Sequence, residues 1–324
     1  MHVGLHKTGT TSLQVGMRRL TPQLRASGIG VLTLPQIKAL PAQKAWMAWT
    51  KPQRTKAPLF RRQLRQLISD ENERVVAASG DPMQQLFFSE ERALGVRMPS
   101  QIDSELFRPM AERALGELLD IVGADESHVV LYVRRQDTFM ESAYLWEVQK
   151  GLSHPIHEQF PFVGHAIIDH AELASRIERL ERVDSIRVIP FEIIGGGSVA
   201  YLDHFMESVH MAGKLDYSSL DTSYSANRSY SQKGLDIALK VNSEIDTPKQ
   251  REAVKRFLKK HFGVDQYPKA NIWDDVDRKA IIDLYRESNE QLFARYMPDL
   301  NVDSYSSIEA TAKLKNVLKG QLAK

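Results

Sequence analysis

The chain has 324 residues, 42% of them hydrophobic, no cysteine and a formal net charge of +2. That length can bury one large core or two smaller ones. The missing cysteines exclude a disulfide framework and thiolate metal sites, and no apolar run approaches the roughly 20 residues that cross a bilayer. The ten histidines show no metal-ligand spacing, so no metal is expected. The absence of cysteine and of any leader-like segment suits a cytoplasmic protein. The small net charge hides an asymmetry. Residues 1–69 hold twelve Lys or Arg and no Asp or Glu, which leaves 31 of the 43 basic groups against all 41 acidic groups in the remainder. An electropositive amino-terminal part favours anionic ligands, while the acidic remainder argues against a dedicated nucleic-acid binder.

Taken in chain order, Val3–Leu5 reads as a first strand, and the helical pattern Ser12–Leu24 follows it. Only Met1 to Val3 precede Gly4, so that strand is expected to be very short, either truncated or preceded by residues lost to a late gene start. Gly28–Leu34 reads as a second strand. Next comes a basic stretch with Lys44, Lys51, Arg54, Lys56, Arg61, Arg62 and Arg65 interleaved with Trp46 and Trp49. Such a stretch suits a polyanion or a sugar acceptor, and equally a solvated helix face beside core tryptophans. Phe60–Ile68 reads as a helix and Val75–Ala78 as a third strand, closed by a Gly80-Asp81-Pro82 turn. A helix over Ser104–Val122 leads to a continuous apolar strand, Val129–Val133. A helix over Phe139–Lys150 follows, with Asp137 as its N-cap and Gly151 as its stop. His154 and His157, in the next loop, read as solvated residues. After a helix at His165–Glu181 comes the strand Ile186–Pro190. Beyond it the pattern is helical throughout, with helices expected at Val199–Ala212, Gln232–Asn242, Lys249–His261, Arg278–Tyr296 and Ile308–Gln321. Strands alternating with helices predict an α/β fold with a mostly parallel sheet flanked by helices and a helical carboxyl-terminal half. No linker divides the chain, so a single domain over 1–324 is expected, residues 1–195 forming the sheet core and 196–324 a helical extension.

The first strand-to-helix junction carries the strongest chemical signal. Lys7-Thr8-Gly9-Thr10-Thr11-Ser12 has the parts of a phosphate cradle: a glycine that lets the backbone approach an anion, hydroxyls, and N–H groups where a helix starts. In the nucleotide triphosphatase pattern the lysine follows the second glycine. Here Lys7 precedes Gly9, which places an ammonium within reach of a bridging oxygen and suits a leaving group that is a phosphate. The second signal is Arg134, at the carboxyl end of the Val129–Val133 strand, with Ser142 eight residues later in the next helix. That spacing can bring both side chains to one anion at the sheet's carboxyl edge, where open α/β folds bind ligands.

The string Lys7-Thr8-Gly9-Thr10-Thr11-Ser12-Leu13 resembles the 5'-phosphosulfate loop of sulfotransferases that use 3'-phosphoadenosine-5'-phosphosulfate (PAPS). Arg134 with Ser142 resembles the 3'-phosphate motif of the same family. Weaker likeness extends to Val188-Ile189-Pro190-Phe191-Glu192 with Gly195-Gly196-Gly197, and to Asn227-Arg228-Ser229. The proline common after the second-motif arginine is absent, and Arg135-Gln136 stands there. The resemblance implies a P-loop-like sulfotransferase fold. It implies PAPS as donor and PAP as product, bound by Lys7, Thr8, Gly9, Thr10, Thr11, Ser12, Arg134 and Ser142. It also implies transfer to a hydroxyl or amine, here a carbohydrate or polysaccharide, with Lys7 catalytic. The family's general base stands just after the third strand. With that strand read as Val75–Ala78, the base is expected at Asp81, with His6, Glu90 and Glu91 as alternatives. A P-loop kinase fits less well, because the Gly-Lys-Ser order and a magnesium-binding aspartate are missing. A non-catalytic protein that binds PAP or a polyanion is the alternative outside enzymes.

Overall fold

A computed structural model describes residues 1–4, 7–43, 57–90, 104–159, 169–209, 211, 213–218 and 229–306. Five strands form one parallel sheet: β1 (His2–Gly4), β2 (Ile29–Thr33), β3 (Gln85–Ser89), β4 (His128–Val133) and β5 (Ser185–Pro190), in the order β2-β3-β1-β4-β5. The helices longer than two turns are α1 (Thr10–Ala26), α2 (Ala57–Ser79), α3 (Ser104–Val122), α4 (Gln136–Gln149) and α5 (His170–Glu178). They continue with α6 (Ser198–Ser208), α7 (Gln232–Val241), α8 (Pro248–His261), α9 (Asp275–Leu284) and α10 (Arg286–Tyr296). Among the described residues no helix is long and apolar enough to cross a membrane.

The strand order fixes where a ligand can bind. The chain leaves β1 towards β2, across β3, whereas it leaves β4 towards β5 on the other side. Neighbouring strands whose connections diverge open a crevice at their carboxyl ends. The β1 loop with Lys7 and the β4 loop with Arg134 therefore flank one crevice. The register supports this, because Gly4 and Tyr132 are partners near the ends of β1 and β4.

Each layer follows from the apolar pattern. In α1, Leu13, Met17, Leu20 and Leu24 are buried at three- and four-residue spacing. They pack with Val31, Phe87, Val130 and Ile189 of the sheet and with Leu202 and Phe205 of α6. The other face of the sheet, with Val3, Leu32, Phe88, Leu131 and Val188, packs against Phe60 and Leu64 of α2 and Leu115 and Leu118 of α3. A third cluster, with Trp273, Tyr230 and Ile281, joins the helical carboxyl-terminal part to Phe139 and Tyr144 of α4.

Three expectations are corrected. Val75–Ala78 is not a strand but lies in the last turn of α2, which ends at Ser79. Only Val75 of that run is fully buried, and Val76 is 38% exposed, the one-sided burial of a helix. Nothing between Ile68 and Ser79 breaks a helix. Gly80, at φ +86°, supplies the stop by donating its N–H to the Val76 carbonyl at 2.9 Å. The third strand is instead Gln85–Ser89. Asp137 is not the N-cap of α4: the helix begins at Gln136, and Asp137 lies in its first turn. The helix expected over Arg278–Tyr296 is broken between α9 and α10 at Tyr285, a core residue that is 4% exposed. The helix expected at Ile308–Gln321 lies outside the described residues.

The long α2 is pinned to the sheet by a carboxylate. Glu71, with a fully buried side chain, accepts two hydrogen bonds from Arg25 at 2.8 and 2.7 Å, one from the Val31 N–H at 3.0 Å and one from Arg74 at 3.1 Å. Burial works to raise its pKa, but the donors from Arg25, Val31 and Arg74 outweigh it and hold the pKa below the ordinary carboxylate value. A depressed folded-state pKa stabilises the fold above the unfolded carboxylate value, and that stability is lost as pH falls through the lowered value. Glu71→Ala should cost roughly 2–3 kcal/mol in chemical denaturation. This is less than a fully buried pair would lose, because Arg25 and Arg74 keep part of their hydration. The variant should also lose Glu71's share of the stability decline in acid, while the share of Asp137, whose pKa is also held down, remains. An unchanged denaturation midpoint would show that Glu71 contributes no net stability.

Candidate active site

The Lys7 loop is held in a strained, closely supported shape. Lys7 has φ +75°, the only positive φ among described non-glycine residues, and Gly9 follows at φ +79°. A left-handed lysine costs on the order of 1 kcal/mol or more, which surrounding contacts must offset. Those contacts are present. Arg134 Nη1 donates to the Lys7 carbonyl at 2.9 Å, and the Tyr201 hydroxyl donates to the Thr8 carbonyl at 2.7 Å. A Cβ on Gly9 would lie 2.7 Å from the Tyr201 hydroxyl oxygen and 3.0 Å from Phe191 Cε2, and one on Gly4 would lie 2.7 Å from Thr8 Oγ1. Both glycines are therefore required by close approach, and Gly9 by its backbone angle as well.

Gly9 is the N-cap of α1. No side chain caps this helix, and its first turn holds no acidic residue. The first N–H groups of a helix have no partner within it, and its dipole places partial positive charge there. The Thr10 hydroxyl, in that first turn, is buried and has no hydrogen-bond partner among the described residues. Buried polar groups are ordinarily paired. The loop thus brings together the uncapped start of a helix, a buried hydroxyl and a lysine, the kinds of donor that an anion requires.

The β4 loop completes the crevice. Arg134 donates through Nε to Thr138 Oγ1 at 3.1 Å, and its guanidinium lies 4.7 Å from the centre of the Phe191 ring. Burial pulls its pKa down, against the pull of Glu192, Glu141 and Asp137, yet an arginine remains charged. His170 fixes the Arg134 backbone, with Nε2 2.8 Å from its carbonyl oxygen. Burial drives the imidazole down to about 4, so at neutral pH the ring is uncharged and Nε2 carries the proton. On α4, Thr138, Ser142 and Trp146 share one stripe at four-residue spacing. Thr138 touches Arg134, and the Lys7 ammonium lies 5.4 Å from the Trp146 ring centre. Half-buried Ser142, between them, therefore lies on the side of α4 turned to both loops. Lys150 approaches the same indole, 2.9 Å from its centre.

Behind this surface the β4–α4 junction is braced by buried charge. Arg135 donates to both Asp137 oxygens at 2.6 and 2.7 Å, and Arg278 reaches Asp137 at 2.9 Å and also pairs with Glu141. Burial would raise the Asp137 pKa, but Arg135 above all holds it below the ordinary range. Arg135 takes the place of the expected proline at φ −51° and ψ 131°, a backbone conformation that proline also adopts. The Gln136 and Asn289 amides bond reciprocally at 2.8 and 3.1 Å, tying α4 to α10.

Lys7, Thr8, Gly9, Thr10, Thr11 and Ser12 thus stand together where the β1 loop enters α1, with Arg134 bonded to the Lys7 carbonyl and Ser142 on the facing side of α4. Asp81 is not with them. It precedes β3 rather than following it, so it lies at the amino edge of the sheet, opposite the crevice. It is exposed there, its N–H accepted by the Ser79 hydroxyl at 3.1 Å. The residue that follows β3 is Glu90, fully buried, its N–H donating to the His2 carbonyl of β1 at 3.2 Å. His6, Glu91, Lys44, Trp46, Trp49, Lys51, Arg54, Lys56, Asn227 and Arg228 lie outside the described residues. His154 and His157 are largely exposed, as expected. Among the described residues no group of His, Cys, Asp or Glu has a metal-binding arrangement. Trp146, Phe191 and Tyr201 were not read from the sequence as supports of the loop. Their only cue is Trp146 standing four residues beyond Ser142. No protein-family model matches the chain, and no curated protein or solved structure matches it at a significant level.

Proposed function

We propose that this protein is a PAPS-dependent sulfotransferase acting on a hydroxyl, or an amine, of a carbohydrate acceptor. The observation that carries the reading is the pairing of two loops rich in hydrogen-bond donors across one crevice. Arg134 is bonded to the Lys7 carbonyl at 2.9 Å, and the lysine lies before the glycine rather than after it. A donor with phosphates at both the 5' and 3' positions needs two such places. The strand order β2-β3-β1-β4-β5 accords with a P-loop-like sheet of the sulfotransferase type.

The loop fits the 5' end of the donor. Gly9, the uncapped start of α1 and the buried Thr10 hydroxyl, unpaired among the described residues, offer backbone and side-chain donors to a phosphate. Thr8, Thr11 and Ser12 add further groups in the same turn. Arg134 and Ser142 would hold the 3'-phosphate. When bound, the donor supplies a sulfuryl group whose bond to the 5'-phosphate oxygen breaks as the acceptor oxygen bonds to sulfur. Lys7 holds a compact positive charge beside the oxygen that gains charge. Glu90 takes the proton from the acceptor hydroxyl, standing where β3 ends beside β1. Trp146 holds the Lys7 ammonium in the crevice through its ring face.

Titration by calorimetry with PAP, AMP and ATP tests the reading. PAP should bind more tightly than AMP, which lacks the 3'-phosphate, by on the order of 1.5–3 kcal/mol for each charge-assisted bond lost. Arg134→Ala should erase most of that difference. Equal affinities for PAP and AMP would remove the donor assignment, and a preference for ATP with magnesium would favour a phosphoryl-transfer enzyme.

A further inference from the structure

We infer that the first turns of α2 form an anion-binding surface for the acceptor, and that the acceptor is an acidic glycan. This rests on the sulfuryl-transfer reading and narrows its substrate class.

The observation is a cluster of three exposed arginines, Arg61, Arg62 and Arg65, which line one open depression with Pro58 and Gln66. Among the described residues none of the three guanidinium groups is in an ion pair or a side-chain hydrogen bond. Some other exposed arginines are paired, Arg182 with Asp120 at 2.9 Å and Arg295 with Glu178 at 2.7 Å. The sequence explains the contrast. Three- and four-residue spacing from the trio meets Leu64, Arg65, Gln66, Ile68 and Ser69, and no acidic residue occurs before Asp70. Asp70 itself accepts from Gln66 at 2.8 Å. A local excess of positive charge on a folded surface is destabilising unless something negative meets it.

The position of the cluster selects the acceptor rather than the donor. Glu71 is bonded to Val31, in the middle of β2, and α2 runs antiparallel to that strand. At about 1.5 Å per helical residue, Arg65 to Arg61 lie roughly 9–15 Å from Glu71 towards the carboxyl edge. The strand itself ends at Thr33, only about 7 Å beyond Val31. The arginines therefore overhang the carboxyl edge of the sheet, on the β2–β3 side. The donor loops flank β1 and β4, and Glu90 stands at the end of β3 between the two regions. An acceptor whose hydroxyl reaches Glu90 from the β2 side passes over the arginines.

Three guanidinium groups within about two helical turns suit a few carboxylates or sulfates beside the reacting hydroxyl. A nucleic-acid binder would need a longer track of phosphate contacts, commonly about 6–10, and the chain's charge beyond residue 69 is net acidic.

The experiment uses the full chain and the variant R61Q/R62Q/R65Q, whose changes are all exposed and leave Phe60 and Leu64 untouched. Fluorescence anisotropy at low salt measures binding of a glucuronic-acid oligosaccharide, its carboxyl-reduced neutral counterpart, and a single-stranded oligonucleotide of equal charge. PAP is titrated separately. The wild type should bind the acidic oligosaccharide roughly tenfold or more tightly than the neutral one, with the advantage fading as salt rises. The variant should lose that advantage while binding PAP as the wild type does. Equal binding of the acidic oligosaccharide by both proteins, failure of the wild type to bind it, or a stronger arginine-dependent preference for the oligonucleotide would each overturn the inference. If neither protein binds PAP but the acidic advantage still depends on the arginines, the donor reading falls and the glycan surface stands.

Discussion

Lys7→Ala should lower turnover by roughly 10²–10³-fold, the usual loss on removing one preorganised charge or donor from a developing anion. PAP affinity should fall much less, because the loop N–H groups and Arg134 still hold the phosphates. The reason is differential binding: an ammonium beside a bridging oxygen matters most when that oxygen gains charge, which occurs in the transition state. The backbone does not confound this comparison, since alanine and lysine bear the same penalty at φ +75°. Lys7→Arg should not restore turnover. Its planar fork replaces a compact ammonium in a turn already closed by the Arg134 bond to the Lys7 carbonyl and by Trp146. Single-turnover rates at saturating PAPS, beside PAP titration, separate the two effects. A variant that binds PAP poorly but turns over at the normal rate would assign Lys7 to ground-state binding alone.

The two loops were legible because each is a local event. A short strand, a glycine and a run of hydroxyls at a helix start lie within a dozen residues, and one-dimensional spacing describes them fully. The same holds for Arg134 and Ser142, whose separation places both on one strand-loop-helix unit. The supports were not legible, because they are tertiary. Tyr201 reaches the Thr8 carbonyl across 193 residues of chain, and Phe191 comes under Gly9 from the end of β5. In the sequence Tyr201 belongs to an aromatic, Met-containing helix with the pattern of a core element, and it is indeed buried. That its hydroxyl points at a backbone carbonyl follows only from how α6 packs on α1. That Arg61, Arg62 and Arg65 have no ion pair among the described residues was half legible. Their lack of acidic neighbours along the helix could be read directly, but their place at the carboxyl edge depends on where α2 begins and which way it runs.

The parallel sheet, four of its five strands and most helices follow from apolar periodicity. The error over β3 shows where periodicity fails. Val75-Val76-Ala77-Ala78 is apolar and partly β-branched, which fits a short buried strand as well as a helix end. Length decides between them. Continuous helical residues back to Ala57 make the run the close of a 23-residue helix. The stop signal Gly80-Asp81-Pro82 then belongs before a strand, and Leu86-Phe87-Phe88 is the aromatic run it introduces. The break at Tyr285 had no local marker. Neither glycine nor proline stands there, and the turn is set by burial of the tyrosine in the cluster around Trp273.

On the proposed sulfuryl-transfer reading, the place of β3 moves the expected general base from Asp81 to Glu90, and the consequence can be measured. In a parallel sheet the residue before a strand and the residue after it lie at opposite edges. Strand β3 spans five residues at about 3.3 Å each, so roughly 17 Å separates them. No side chain closes that gap, and a base must come within about 2.6–3.2 Å of the proton or reach it through one water. Asp81→Asn, at an exposed turn on the far edge, should therefore leave turnover near the wild-type value. Glu90→Gln should lower it by roughly 10²–10⁴-fold, the usual worth of a positioned base, while PAP affinity stays within a small factor. The amide keeps the shape of the carboxylate and tests proton transfer rather than packing. Glu90→Asp should recover part of the loss, since it restores a carboxylate about one bond short. The remaining activity of Glu90→Gln should rise with pH, as hydroxide in solution takes over the proton. Should Asp81→Asn lose as much turnover as Glu90→Gln, or Glu90→Gln lose none on an acceptor that the wild type sulfates, the base would lie elsewhere, with His6 and Glu91 the next residues to change.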